Sequence, residues 1–243
     1  MKRFTISILL IALCISIPAL SKDNSAKLYF TEEDMPDAYY FLPAPPAWDS
    51  EAFAYDSCQF EWGKSVRDSE RGKMAKADAN TSAEYIASIF SPILGIEISE
   101  RNTPEIFKLL KKAAKTAGKA DNHAKTAYMR TRPFVYFNYP SLTPEDEEAL
   151  SKNGSYPSGH TLLGWVAALV FCEIDPADQN AILARGYEYG QSRVIVGVHW
   201  QSDVNAGRLV ASAAFARLHT SAQYTKQLHK AQKEYAAKKK SVR

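Results

Sequence analysis

Apolar and polar residues repeat along most of this chain with the period of helices, not of strands. From Ser50 to Asp78 apolar residues recur three and four positions apart among charges, as one face of an amphipathic helix requires. The stretch from Pro104 to Arg132 continues the pattern, and Pro104 suits a first helical position, where no N–H is needed. Pro144 predicts a short helix through Leu150. Thr161 to Cys172 is almost wholly apolar and predicts a helix buried in the core. A further helix begins at Pro176 and runs to about Val196. Gly197 breaks it, His199 to His219 resumes the periodicity, and a charged helix closes the chain. No strand-like alternation, internal repeat or linker follows residue 50. The expectation is therefore all-α, with a single-domain helical bundle spanning 50–243.

Two segments stand outside that pattern. Lys2 and Arg3 precede an uncharged apolar run from Phe4 to Ala19, and Ala19-Leu20-Ser21 supplies small residues of the kind a signal peptidase reads. Residues 1–21 are expected to be a secretory signal peptide cut before Lys22, because the run is shorter than the roughly 20 residues that span a bilayer. No later segment is long and apolar enough to cross a membrane, so no stable membrane insertion is expected after cleavage. Residues 22–49, with Pro36, Pro43, Pro45 and Pro46 and several aromatics, read as an arm lying on the body or on a neighbouring subunit, or as a mobile linker.

Charge and cysteine narrow the class. Cleavage removes Lys2 and Arg3 and no acid, taking the net charge from +3 to +1. A nearly neutral chain argues against nucleic acid as a partner. Lys238, Lys239 and Lys240 read as a frayed, solvated helix end, and Arg67, Asp68, Glu70 and Arg71 as a solvated, salt-bridged face. Export would permit a disulfide between Cys58 and Cys172, but two free thiols fit the sequence equally well.

Three clusters carry candidate chemistry. Lys125 and Arg132 are seven residues apart, close to two helical turns, so they are expected to project from one helix face about 10 Å apart, with Pro133 ending that helix. A solvated basic face fits these two residues equally well. The turn Gly154-Ser155-Tyr156-Pro157-Ser158-Gly159-His160-Thr161 precedes the apolar helix, whose first N–H groups are free to bind an anion. Ser158 adds a hydroxyl, Gly159 a close backbone approach, and His160 a proton. Ser192-Arg193 is followed by His199 and, four residues on, Asp203. That spacing puts His199 and Asp203 on one helix face, where the carboxylate can fix Nδ1–H and leave Nε2 as a nucleophilic lone pair. Alone, the pair would also fit an ordinary surface contact. Together the clusters supply cations for the equatorial oxygens of a phosphoryl group, a nucleophile in His199 and an acid in His160. His123, His219 and His229 lack such neighbours and read as surface residues.

The same residues compose K-x6-R-P, P-S-G-H and S-R-x5-H-x3-D, the signature of acid phosphatases, lipid phosphatases and vanadium haloperoxidases. Every fixed identity and internal spacing is present. The fuller form Gly154-Ser155-Tyr156-Pro157-Ser158-Gly159-His160-Thr161 resembles bacterial class A non-specific acid phosphatases, and the similarity runs from about Leu42 through the C-terminal helix. One departure is visible, Pro43-Ala44-Pro45-Pro46 in place of an unbroken proline run. The resemblance implies a helical bundle of the acid phosphatase and vanadium haloperoxidase type. It implies His199 as nucleophile, Asp203 as its orienting carboxylate and His160 as acid and then base. Lys125, Arg132, Arg193, Ser158, Gly159 and the N–H of His160 would hold the phosphate. It further implies no metal or cofactor, small phosphomonoester substrates, a periplasmic location, a homo-oligomer and activity at acidic pH.

Other activities share these residues. An apyrase-like preference for nucleoside di- or triphosphates would use the same pocket, and so would a haloperoxidase holding vanadate. A metal-dependent hydrolase using His160, His199 and Asp203 is disfavoured by the three cations beside them. A phosphate-binding protein without turnover would have no use for an oriented His/Asp pair beside a second histidine. Segments 80–100 and 134–153 are the expected source of leaving-group preference.

Overall fold

The computed structural model describes residues 28–242, so the expected signal peptide lies outside the described residues. Every regular element among them is helical. A four-residue helix, α1 (Ala38–Phe41), is followed by α2 (Glu51–Ser65), α3 (Glu70–Ala77) and α4 (Ala83–Leu94). Then come α5 (Pro104–Ala117), α6 (Asn122–Tyr128), α7 (Pro133–Tyr136) and α8 (Pro144–Ser151). The core hairpin is α9 (Gly159–Ile174) and α10 (Gln179–Val196), joined by a 3-10 turn at Pro176–Asp178. The chain then forms α11 (Gln201–Leu218) and α12 (Ala222–Val242).

Local chemistry explains the boundaries. Ser50, Ser69, Ser82 and Ser158 cap α2, α3, α4 and α9, each side-chain oxygen accepting from a backbone N–H of the first turn. Prolines start α5, α7 and α8. Helix α9 is buried on nearly every side, with Leu162, Val166, Ala167, Val170 and Phe171 inaccessible, and it packs against α5, α10, α11 and α12. A smaller core under α7 joins Phe134 to Ala75, Ile195, Val196 and Val198. It supports the turn that carries the third cluster.

Several expectations are corrected. The helix expected through 50–78 is interrupted at Val66 to Ser69. The stretch from Pro104 to Arg132 is two helices parted at 118–121. Segment 80–100, expected as a loop that sets leaving-group preference, contains α4. The interruption after α2 is where Arg67 turns inward, its guanidinium donating to the carbonyls of Ile195 (2.9 Å), Val196 (3.1 Å) and Pro140 (2.8 Å). Arg71 likewise reaches Ser192 Oγ at 3.0 Å and the Glu188 carbonyl at 2.8 Å. Neither belongs to a solvated face.

Lys238 and Lys239 are not frayed. They donate to Asn102 Oδ1 at 2.9 Å and to the Leu94 carbonyl at 2.7 Å, fastening α12 to the body. Residues 28–49 also lie against the body. The Ala38 N–H donates to the Ala120 carbonyl, Met35, Ala38 and Leu42 are buried, and Trp48 stacks on Tyr136. Cys58 is exposed, Cys172 is partly buried, and both are free thiols.

Candidate active site

His199 is held just outside a helix. Trp200 is the N-cap of α11, so His199 precedes the helix and Asp203 is its third residue. The expected shared helix face is thus replaced by a cap. Asp203 Oδ2 accepts from the Trp200 N–H at 2.9 Å and meets His199 Nδ1 at 3.3 Å. An ionised carboxylate can only accept, so Nδ1 carries the proton. The other nitrogen gives an independent indication. Arg132 Nη1 lies 3.1 Å from His199 Nε2, and a guanidinium can only donate, so Nε2 is a lone pair. Burial, then Arg132, Lys125 and Arg193, push the His199 pKa well below its ordinary value. The imidazole therefore stays neutral into the acid range.

Cations crowd this ring from separate elements. Lys125 and Arg132 do not share a helix: α6 stops at Tyr128, Met129 turns left-handed at φ 40°, and Arg132 is the N-cap of α7, which Pro133 begins. Arg132 is fastened by carbonyls, donating to Leu150 (2.8 Å), Asn153 (3.1 Å) and Val198 (2.9 Å). Arg193 lies in the last turn of α10, which ends at a left-handed Gly197 (φ 90°), a conformation that favours glycine. Its Nε and Nη1 are buried without a hydrogen-bond partner. Burial pushes both guanidinium pKa values down to about 10, which leaves them charged at neutral pH.

The remaining donors come from the cap of α9. Ser158 Oγ accepts from the N–H and the hydroxyl of Thr161, so its own O–H remains to be donated. The first two N–H groups of the helix, Gly159 and His160, have no intrahelical partner. A Cβ on Gly159 would sit 2.7 Å from Asp121 Oδ2, closer than side chains tolerate. Lys125 Nζ donates to the Pro157 carbonyl at 2.5 Å and lies 3.6 Å from Asp121 Oδ2.

Among the described residues the charges do not balance locally. Lys125 faces Asp121, and a further cation, Arg130, bridges Asp56 and Asp203. Neither Arg132 nor Arg193 has a carboxylate within ion-pair distance. Two buried guanidinium groups with no carboxylate in contact are costly to bury, and a dianion held between them would offset that cost.

His160 lies at the same cap. Its Nε2 is 2.6 Å from the Asp78 carbonyl, and its ring stacks on Tyr189 at 4.8 Å between centroids. Burial, then Arg193, lower its pKa well below the ordinary value. Among the described residues no three His, Cys, Asp or Glu side chains converge as a metal site.

Residues 113–227 match the family model of the PAP2 superfamily. The chain is 47% identical over 213 residues to a non-specific acid phosphatase of Providencia stuartii, covering 87% of this chain and 86% of the relative. It is 46% identical to the non-specific acid phosphatase of Salmonella typhimurium, covering 85% and 83%. An acid phosphatase of Zymomonas mobilis is 33% identical, over 93% and 89%. The chain belongs to this acid phosphatase family of the PAP2 superfamily. It is an enzyme of the same class, a phosphoric monoester hydrolase.

Sequence reading missed the phosphatase's supporting residues. Arg130 binds Asp203 Oδ1 at 2.6 Å, Ser202 Oγ at 2.7 Å and Asp56 Oδ2 at 2.8 Å, and Asp56 accepts from the Ser202 N–H. Asp78, inaccessible, accepts from Arg185, Ser192 and Tyr85. Arg130 stood two places before Arg132, and Asp56 recurred on the apolar face of α2. Those were the available signals, and neither was specific. The phosphatase has no helix long and apolar enough to cross a membrane among the described residues.

Proposed function

We propose that this phosphatase hydrolyses small phosphate monoesters of broad structure through a phosphohistidine on His199. The observation that carries the reading is the pair of buried guanidinium groups with no carboxylate in contact, Arg132 and Arg193, beside a neutral imidazole whose Nε2 lone pair is free of a proton. The phosphoryl group lies among Lys125, Arg132, Arg193, the Ser158 hydroxyl and the N–H groups of Gly159 and His160. His199 Nε2 attacks phosphorus in line, and the bond to the leaving oxygen breaks. His160 protonates that oxygen, then takes a proton from the water that attacks the phosphohistidine. Asp203 accepts the Nδ1–H and stabilises the positive charge that appears on the ring. The scheme needs His199 neutral and His160 protonated; burial lowers both pKa values, which serves His199, and acidic pH together with the negative charge of the bound phosphate beside Arg193 serves His160.

Lys2, Arg3 and the apolar run after them support export to the periplasm with loss of residues 1–21. The mass of the protein recovered from the periplasm tests this, and a retained N-terminus refutes it. For the chemistry, His199→Ala is expected to abolish turnover of p-nitrophenyl phosphate while the helical circular dichroism is unchanged. Rapid quench of the wild type with labelled substrate is expected to trap an acid-labile, base-stable phosphoprotein. Full activity in the variant, or label held as an acid-stable ester, would refute the mechanism.

A further inference from the structure

Asp78 takes no part in holding the phosphate, yet its carboxylate accepts four hydrogen bonds. It follows α3 directly, as the C-cap, with helical backbone angles. Its carboxylate is inaccessible to solvent. Arg185 grips it with both terminal nitrogens, at 3.1 and 2.5 Å. Ser192, beside the phosphate-facing Arg193, donates its hydroxyl at 2.7 Å, and Tyr85 donates from α4 at 2.9 Å. Its own N–H is bound to the Met74 carbonyl at 2.8 Å. Two residues on, the Asn80 carbonyl accepts from Tyr189, whose ring lies on His160. Two helices, α4 and α10, and the backbone cap of α3 thus immobilise one short peptide segment.

That segment's output is a single carbonyl. Asp78 O meets His160 Nε2 at 2.6 Å, and a carbonyl can only accept, so Nε2 carries a proton whether the ring is neutral or charged. The nitrogen left for exchange is Nδ1. We propose that Asp78 is a positioning residue for proton transfer: its clamped carboxylate fixes the carbonyl that holds His160 Nε2–H, and so commits Nδ1 as the atom that protonates the leaving group. The step balances. The phosphorus–oxygen bond breaks with its electron pair passing to the ester oxygen, and Nδ1–H of the His160 imidazolium delivers the proton to that oxygen. The ring becomes neutral and retains Nε2–H. The bare Nδ1 is then the base for the attacking water. A neutral carbonyl suits this cycle, since it sets the tautomer without adding a charge that would hold the proton back.

This proposal rests on the general-acid role of His160 proposed above, and leaving-group dependence separates the two. p-Nitrophenolate departs readily as an anion, whereas the alkoxide of an alkyl phosphate such as β-glycerophosphate needs a proton. Asp78→Asn, which loses the charge gripped by Arg185, is expected to lower kcat/KM for the alkyl ester at least about tenfold more than for p-nitrophenyl phosphate, a fraction of what a general acid supplies. Inhibition by inorganic phosphate is expected to stay near wild type. Equal losses on both esters would mean that Asp78 is merely structural and would overturn the proposal. His160→Ala is the parallel control. If it too loses equally on both esters, the general-acid reading itself fails. If it discriminates and Asp78→Asn does not, only the role of Asp78 fails. Should Asp78→Asn not fold, Tyr85→Phe and Arg185→Lys loosen the same carboxylate, and an unchanged ester ratio in both refutes the proposal.

Discussion

His199 and His160 both feel the charges of Arg132 and Arg193, and burial drives both pKa values down, yet the protein fixes the two rings by different means. His199 leans on a carboxylate, Asp203, which is held by Arg130 and the Trp200 N–H. His160 leans on a peptide carbonyl whose residue is held by Arg185, Ser192 and Tyr85. The consequence is a mirror pair: one ring presents Nε2, the other Nδ1. The roles proposed above account for the difference. A ring that becomes positively charged on phosphorylation benefits from a full negative charge at its back. A ring that must give up a proton and take one again is better served by a dipole. In each case the partner aspartate is gripped by an arginine, so the protein spends one ion pair per histidine on orientation.

This contrast can be broken from either side. The largest effect is expected from Asp203→Asn. An amide can offer Nδ1 an N–H, flip the tautomer and remove the lone pair at Nε2, lowering kcat by about 10⁴. The loss is expected to be the same for alkyl and aryl esters, unlike that of Asp78→Asn, and stopped-flow phosphate release on both substrates measures it. Arg193→Ala removes a donor that serves both halves. Its cost is expected to be about 10²-fold in kcat/KM, with weaker inhibition by inorganic phosphate, in line with the loss of one oxyanion donor.

The smallest effect is on stability. Both histidines have folded-state pKa values below the ordinary 6.5, so below that pH the unfolded chain binds protons that the fold does not. Their contribution is fully present above about pH 6.5 and is lost as pH falls toward the folded-state values. Melting of the substrate-free protein at pH 7.5 and pH 5 is expected to show a lower Tm in acid. His199→Gln and His160→Gln are each expected to flatten that slope, since burial and neighbouring cations hold both pKa values down. A slope unchanged in both variants would locate the acid sensitivity elsewhere.

The sequence announced the residues proposed to touch phosphate more clearly than the residues that hold them. Helical class followed from period, and the cap of α9 from Ser158 and Gly159 standing before an apolar run. The geometry inferred from spacing was less secure. Seven residues from Lys125 to Arg132 read as two turns of one helix because nothing in Tyr128-Met129-Arg130 marks a stop. Met129 adopts a left-handed conformation without being glycine, a choice made by the burial of Arg130 and not by local propensity. His199 and Asp203 satisfied a helical spacing yet meet across a cap. Arg67, Arg71, Asp56 and Asp78 were illegible for one reason. Each spends its charge or hydrogen bonds on partners about seventy to a hundred and forty residues away, and a charged residue in a helical pattern looks the same whether it meets solvent or a distant carbonyl.

Trp200 carries a last consequence. It is wholly buried, follows His199 directly, gives its backbone N–H to Asp203 and its indole N–H to the Thr131 carbonyl at 2.8 Å, and lies 5.4 Å from the Arg130 guanidinium. Charge that appears on His199 therefore appears beside a fluorophore that is itself shielded from solvent. With the phosphohistidine proposed above, Trp200 would be an optical reporter: its emission would time the formation and loss of that state on colourless esters, so the natural leaving group could be sought without a chromogenic surrogate.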